Sequence, residues 1–525
     1  MNVFTKVQRL GPAALLLAAS VFVSRFMGLI RDKVISYYFG AGLETDLYNA
    51  AFIIPDFINY LLAGGYFSIT LIPLLAHYFH RDETDGWAFF SAACAWISLT
   101  AFLVTGLAWI LAPDLARLSA PGFSDPATQA RLTHFLRIIL PAQACFLPGA
   151  CFTALLLHRR QFRVPALTPL VYNGGIILTG LFFVYLLPDR GMEGFCWGVL
   201  IGATLGSLVL PWLAVRAGGL RLIPRLLHPG MKSFLLLALP LMLGQSIVAL
   251  DEQLLRFFGS LGQEGSISHL SYARRIMMVP VGVVAQAAGM ASFPFLASLA
   301  AAGKREKFNC TVNRTLLNSL SLILPISIWM AALSLPIIRL IFQQGVFSAQ
   351  AAGETAALLA IMLAAAPFWA VQQVLGRGFY AHQNTLTPVL AGSIATLAGL
   401  PLYWLLTGRL GATGVALAGV AGMGLYTLCL IRLWVKHFGS EALAGILRRF
   451  LIVLALSLAC AMIAASASAS ILHFLPGRPL IGAFAALCAG SALFAGHLVI
   501  FCRLFAPGLW KEALAALRNL RERHI

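Results

Sequence analysis

The chain runs to 525 residues, of which 60% are hydrophobic and only 11% charged, with a mean hydropathy of +0.85. A soluble globular protein carries roughly 25% charged residues, so this composition excludes a soluble fold and leaves room for roughly a dozen or more membrane spans at about 20 apolar residues each. The formal charge of +18 does not point to nucleic acid, because the Lys and Arg lie mostly in short runs between apolar segments, where membrane topology accounts for them.

Lys6 and Arg9 precede an apolar run from Ala13 to Val23 in the manner of a signal peptide. The run continues past Arg25 to Phe39 and many spans follow, so an uncleaved first span is expected. Windows of about 19 residues give fourteen spans, numbered here in chain order: 11–38, 46–79, 86–112, 129–157, 165–187, 192–215, 233–259, 266–299, 311–342, 350–380, 386–407, 411–436, 447–472 and 480–505. With both termini in the cytoplasm, the inner connections hold most of the Lys and Arg. The outer ones hold only Arg117, Arg131, Arg190, Arg339, Arg409 and Arg478, and this asymmetry is the one that orients membrane proteins. The nine cysteines fall mostly within spans without metal-ligand spacing and read as small buried hydrophobes.

GLIRDKVISYYFG (28–40) and IVALDEQLLRFFG (247–259) share Asp32/Asp251, Phe39/Phe258 and Gly40/Gly259, and LTP recurs at 167–169 and 386–388 at the same offset of 219 residues. A shared offset in two distant places points to two homologous halves. The expected fold is an all-α polytopic membrane protein of about 14 transmembrane helices, in two pseudo-symmetric six-helix lobes plus two C-terminal helices. The N-lobe covers 1–226, the C-lobe 227–440, spans 13 and 14 lie in 441–505, and 506–525 forms a basic amphipathic tail on the inner membrane surface.

Eight basic residues fall inside spans: Arg25, Arg31, Lys33, Arg137, Arg256, Arg274, Arg275 and Arg314. Charge at membrane depth is expensive and marks function or an interior partner; Lys33, Arg137, Arg256 and Arg314 also suit snorkelling to an interface. Arg25 lies roughly 21 Å along span 1, near the midplane, and Arg31 follows about 120° round and about 9 Å further out, so both can edge one broad face. Arginine suits phosphoryl oxygens through bidentate, always-charged contacts. Salt bridges of these arginines to Asp32 and Asp46 are the competing reading. Asp46, at the outer start of span 2, suits a gate, a partner for Arg31, or a simple helix-start acid. Pro55, Asp56, Asn59, Gly64 and Gly65 crowd span 2, where proline and paired glycine bend a helix toward a cavity. In span 8, Arg274 and Arg275 diverge by about 100°, so one of them faces the cavity that spans 1, 2 and 8 are expected to form. Asp251 and Glu252 in span 7 are candidates for coupling a cation such as Na+ or H+, or for pairing with Arg256 or Arg274. No catalytic or metal-binding motif is present, no cofactor is implied, and the expectation is a transporter rather than an enzyme.

These residues resemble a known family. SRFMGLIRDKVISYYFGAGLETDLYNAAFIIPDF (24–57), FRVPALTPLVYN (162–173), SYARRIMMVPVGVV (271–284), FQQGVFSA (342–349) and GFYAHQNTLTPV (378–389) are similar to the MurJ (MviN) lipid II flippases of the multidrug/oligosaccharidyl-lipid/polysaccharide exporter superfamily. The resemblance implies movement of an undecaprenyl-pyrophosphate-linked peptidoglycan precursor from the inner to the outer leaflet of the bacterial inner membrane, with spans 13 and 14 forming a groove for the lipid tail. It implies substrate-site roles for Arg25, Arg31, Asp46 and Arg275. It also exposes departures: Asn59 stands where an arginine is common, Gly64 where a glutamate is, and Arg274 where an acid is. Another undecaprenyl-linked glycan is therefore the alternative cargo. Expected partners are the lipid-linked pyrophosphate, membrane lipids and cell-wall synthesis proteins, with no nucleic acid; coupling to the membrane potential, Na+ or H+ is the expected energy source.

Overall fold

In the computed structural model, residues 10–63, 66–223, 226–238, 250–475, 477–511 and 514 are described. Gly64 and Gly65, the first part of the second repeat segment, and the tail from 515 onward lie outside them. The described residues form helices joined by short turns, with no β-strand among them.

A helix stands at each of the fourteen expected spans. Ten described helical stretches are long and apolar enough to cross a membrane by themselves. One of these, Leu386–Phe438, is two helices meeting at Gly411, whose φ of +57° and ψ of −134° only glycine adopts readily. In a continuous helix the backbones of residues 406 and 414 would lie about 12 Å apart. Here a Cβ on Gly414 would fall 2.0 Å from the Leu406 carbonyl oxygen, so the chain turns back on itself. The remaining three spans are Leu10–Phe39, which carries the span 1 charges, span 2 in three pieces (Leu43–Ala50, Ile53–Ala63 and Tyr66–Arg81), and span 7, which ends in Leu250–Ser260.

Local chemistry explains several of the ends and breaks. Asp82 caps the helix Glu83–Ile110 by accepting from the Asp85 N–H at 3.0 Å, and Ser348 caps Ala349–Met362 through the Ala351 N–H at 3.1 Å. Asp125 caps Pro126–Ile139, accepting from the Thr128 N–H and hydroxyl, bonds that hold its carboxyl below the usual carboxylate range. Pro141 interrupts span 4 between Ile139 and Ala142. In span 6 a π-helical stretch, Ala203–Val209, immediately precedes Pro211, whose ring would clash with the carbonyl four residues back in a regular helix.

The chain divides into two compact units, Met1–Ser268 and His269–Ile525. In the first, one core gathers Leu47, Ile58, Phe135, Ile139, Ile176 and Phe195 from spans 2, 4, 5 and 6, and another surrounds Trp87, Phe89 and Phe90 of span 3. Spans 5 and 6 approach through glycines at 198, 202 and 206, the spacing that lets membrane helices touch backbone to backbone. A Cβ on Gly202 would lie 2.6 Å from the Tyr172 carbonyl oxygen. Gly202→Leu should therefore cost about 1–3 kcal/mol by forcing the helices apart, read as a lower unfolding midpoint of the purified protein; an unchanged midpoint would show that the helices have room to spare.

In the second unit Phe308 of span 9 stacks on Trp434 of span 12 at 6.1 Å, with Phe379 edge-on to the same indole at 5.3 Å. Asn309 donates to Glu441, and Asn313 donates to the carbonyls of Ala442 and Ala444, fixing span 9 to the short turn between spans 12 and 13. Trp329 of span 9 donates to Ser491 of span 14 at 3.1 Å. The last two spans are thereby anchored to this unit.

Candidate substrate site

Span 1 carries its two arginines in different surroundings. Arg25 is exposed. Arg31 is largely buried, with Nε and Nη2 both donating to Asp32 Oδ1 at 3.1 and 2.9 Å. Between them a Cβ on Gly28 would meet nothing within 4 Å, so that side of the helix borders open space. Two phenols stand within electrostatic reach of Arg31: Tyr48 from span 2 and Tyr172 from span 5. The Tyr48 hydroxyl is buried and has no hydrogen-bond partner among the described residues. A guanidinium suits phosphoryl oxygens, and here Asp32 already accepts from two of the Arg31 N–H groups. Neither tyrosine was picked out from sequence, because an aromatic in an apolar span carries no signal that its hydroxyl is unsatisfied.

Asp46 is 1% exposed and makes no ion pair with Arg31. Its carboxylate instead accepts from the Gly265 and Ser268 N–H groups, each at 2.7 Å, and from the Ser268 hydroxyl. These are the orphan donors at the first turn of span 8, whose helix begins at Ser266. The exchange is reciprocal: Glu264, just before that helix, accepts from the Leu43 N–H at the start of span 2 at 3.0 Å. Gly122 of the connection between spans 3 and 4 adds a third stitch, donating to the Ser260 hydroxyl at the end of span 7. All three stitches join segments that the Lys and Arg distribution assigns to the outer side.

Around this seam the short helix Leu43–Ala50 is braced by charge. Arg131 of span 4 grips Glu44 with a two-pronged contact, both prongs 3.1 Å, and donates as well to Glu193 of span 6. Glu193 also stands 3.5 Å from His134. Arg131, expected from sequence as an outer-loop charge, thus lies at the junction of spans 2, 4 and 6.

The second-tier residues separate. Asn59 donates to Gln143 of span 4 at 3.2 Å. Glu252 and Arg256 pair along one helix at 2.6 Å, and Arg256 also reaches Asp56 of span 2 at 2.7 Å. Asp251, half-buried, sits one residue before Glu252 and so points about 100° away. In the second unit Arg275 is exposed and Arg274 half-buried, consistent with their adjacent helix positions. His269 at the start of that unit is fixed by Thr355 at 2.8 Å and Glu354 at 3.1 Å. No cluster of metal-ligating side chains occurs among the described residues.

A family model described as lipid II flippase MurJ matches residues 35–482. The chain belongs to the MurJ family. A probable lipid II flippase MurJ of Rhizobium meliloti (strain 1021) is 30% identical over 428 residues, covering 80% of this chain and 79% of its own. The lipid II flippase MurJ of Burkholderia cenocepacia is 26% identical over 512 residues, covering 95% and 96%. Among solved structures, a lipid II flippase MurJ in an inward closed conformation superposes with a TM-score of 0.76 at 24% identity, covering 93% of this chain and 99% of that one. An inward-facing multidrug transporter of the MATE family superposes with a TM-score of 0.64 at 15% identity, covering 84% and 98%. The fold is therefore that of MurJ, shared with the MATE transporter, a multi-pass helical membrane protein.

Proposed function

We propose that this protein flips lipid II, the undecaprenyl-pyrophosphate-linked peptidoglycan precursor, from the inner to the outer leaflet of the bacterial cytoplasmic membrane by alternating access. The observation that carries this reading is the family match across residues 35–482. Arg25 and Arg31 bind the pyrophosphate, and Arg275 is the further arginine that the family motif assigns to it. Asp46 holds the outer side closed by capping span 8 while cargo loads from the cytoplasm. Both termini lie in the cytoplasm. An anionic substrate moving outward is helped by an inside-negative potential, worth about 2.3 kcal/mol per charge per 100 mV, with Na+ or H+ as the alternative coupling ion. Cell-wall synthases are the partners that such a product serves.

The test is complementation of a bacterium depleted of its own lipid II flippase, comparing the parent with Arg25→Ala at matched membrane levels. Rescue by the parent and loss of rescue by the variant are expected. A parent that reaches the membrane and fails to rescue would overturn lipid II as cargo. Equal rescue by both would remove Arg25 from the substrate site.

A further inference from the structure

Two arginines of the first unit, Arg131 half-buried and Arg256 buried, each hold two carboxylates, and they do so in different ways. Arg131 takes both of its carboxylates, Glu44 and Glu193, from other helices. Arg256 takes Asp56 from span 2 and Glu252 from its own helix, one turn earlier. Its side chain is 10% exposed, whereas those of Asp56 and Glu252 are 32% and 36% exposed.

That difference sets what happens when helices separate. A buried guanidinium that loses its carboxylates is strongly disfavoured. Moving span 2 or span 6 away from Arg131 strips it of a carboxylate that its own helix does not replace. Moving span 2 away from Arg256 leaves Glu252 in place, because residues four apart stay neighbours however the helix moves. Asp56, a third exposed, regains water as it leaves. Arg256 thus keeps a carboxylate of its own helix whatever the other spans do, whereas both partners of Arg131 depend on where spans 2 and 6 stand.

We propose that Asp56, Arg256 and Glu252 form a latch between spans 2 and 7 that opens and closes during the transport cycle, with Glu252 as the standby partner that makes release affordable. The proposal rests on the alternating-access reading and adds positioning residues to it. None of the three contacts cargo in this scheme. Arg256 acts through span 2, fixing the segment that also carries Asn59 against Gln143.

The two carboxylates then have opposite effects. Asp56→Asn weakens only the latched state and shifts the protein toward release. Glu252→Gln weakens both states, and the released one more because Asp56 no longer stands beside Arg256 there, so it shifts the protein toward the latched form. Both substitutions keep size and shape, so the fold is expected to survive. Hydrogen exchange of the intact protein in lipid nanodiscs, read by mass spectrometry in peptides covering 53–63 and 250–260, measures the balance. Exchange roughly ten-fold faster in Asp56→Asn and slower by a comparable factor in Glu252→Gln is expected, within the range that coupled neighbours show. Acceleration in both variants, or change in neither, would overturn the latch and leave a static network. Export of lipid II measured in parallel keeps the two readings apart. Opposite exchange shifts with unaltered export would uphold the latch and strike its role in alternating access.

Discussion

Asp46→Ala is expected to abolish rescue of flippase-depleted cells while the protein still reaches the membrane. The substitution leaves the Gly265 and Ser268 N–H groups and the Ser268 hydroxyl without their acceptor in a buried place. Each such orphan costs about 1–3 kcal/mol, and the capping charge on the span 8 helix dipole is lost as well. In the proposed alternating-access cycle the seam forms only while the outer side is closed, and in that scheme the cost falls on one state. A difference of about 3 kcal/mol shifts a two-state balance more than a hundred-fold, enough to leave few molecules able to load from the cytoplasm. Asp46→Asn keeps one acceptor oxygen and should rescue partly. In a background with the native cysteines replaced, labelling of Ile267→Cys, buried beside the seam, by a membrane-impermeant thiol reagent should rise in the alanine variant. Full rescue with unchanged labelling would remove Asp46 from the closure.

Arg131→Met should produce the largest loss of stability in the first unit. It strands Glu193, whose side chain is 8% exposed, and Glu44, at 40%. Breaking a buried pair from one side costs about 3–5 kcal/mol; the partial exposure of Glu44 argues for the lower end. The apparent unfolding midpoint in detergent should fall accordingly, and Arg131→Met combined with Glu193→Gln should recover much of the loss. A double variant no better than the single one would show that Arg131 stabilises through its packing on Phe135, 4.6 Å below the guanidinium, rather than through charge.

The spans were legible in the sequence because hydropathy is a property of composition and needs no knowledge of neighbours. Asp46 stands out in the sequence for the same reason, as a charge where charge is expensive. Its partners were not, since backbone N–H groups at a helix start carry no residue signature, and Gly265 and Ser268 lie 219 and 222 residues away. The Glu252–Arg256 pair could be read from its four-residue spacing. The third member, Asp56, could not, because it arrives from 200 residues upstream. Arg131 illustrates the limit of topology rules: they place a cation at the outer end of a span and say nothing of two glutamates 87 and 62 residues distant that turn it into a brace. Arg31 shows the converse, with its acid next to it in the chain.

The turn at Gly411 bears on how the second unit can deform. Spans 11 and 12 meet with a single non-helical residue between them, and the Gly414 backbone lies hard against that of Leu406. A connection that short has no slack, so the two helices cannot slide past one another or spread at that end without breaking hydrogen bonds. They form one lever arm, and whatever tilts one tilts the other. For labelling work the consequence is practical. A tag or long linker placed at 411 would uncouple the arm rather than decorate a loop, whereas dyes on cysteines replacing the exposed Leu397 and Leu428 would report the motion of a single rigid piece.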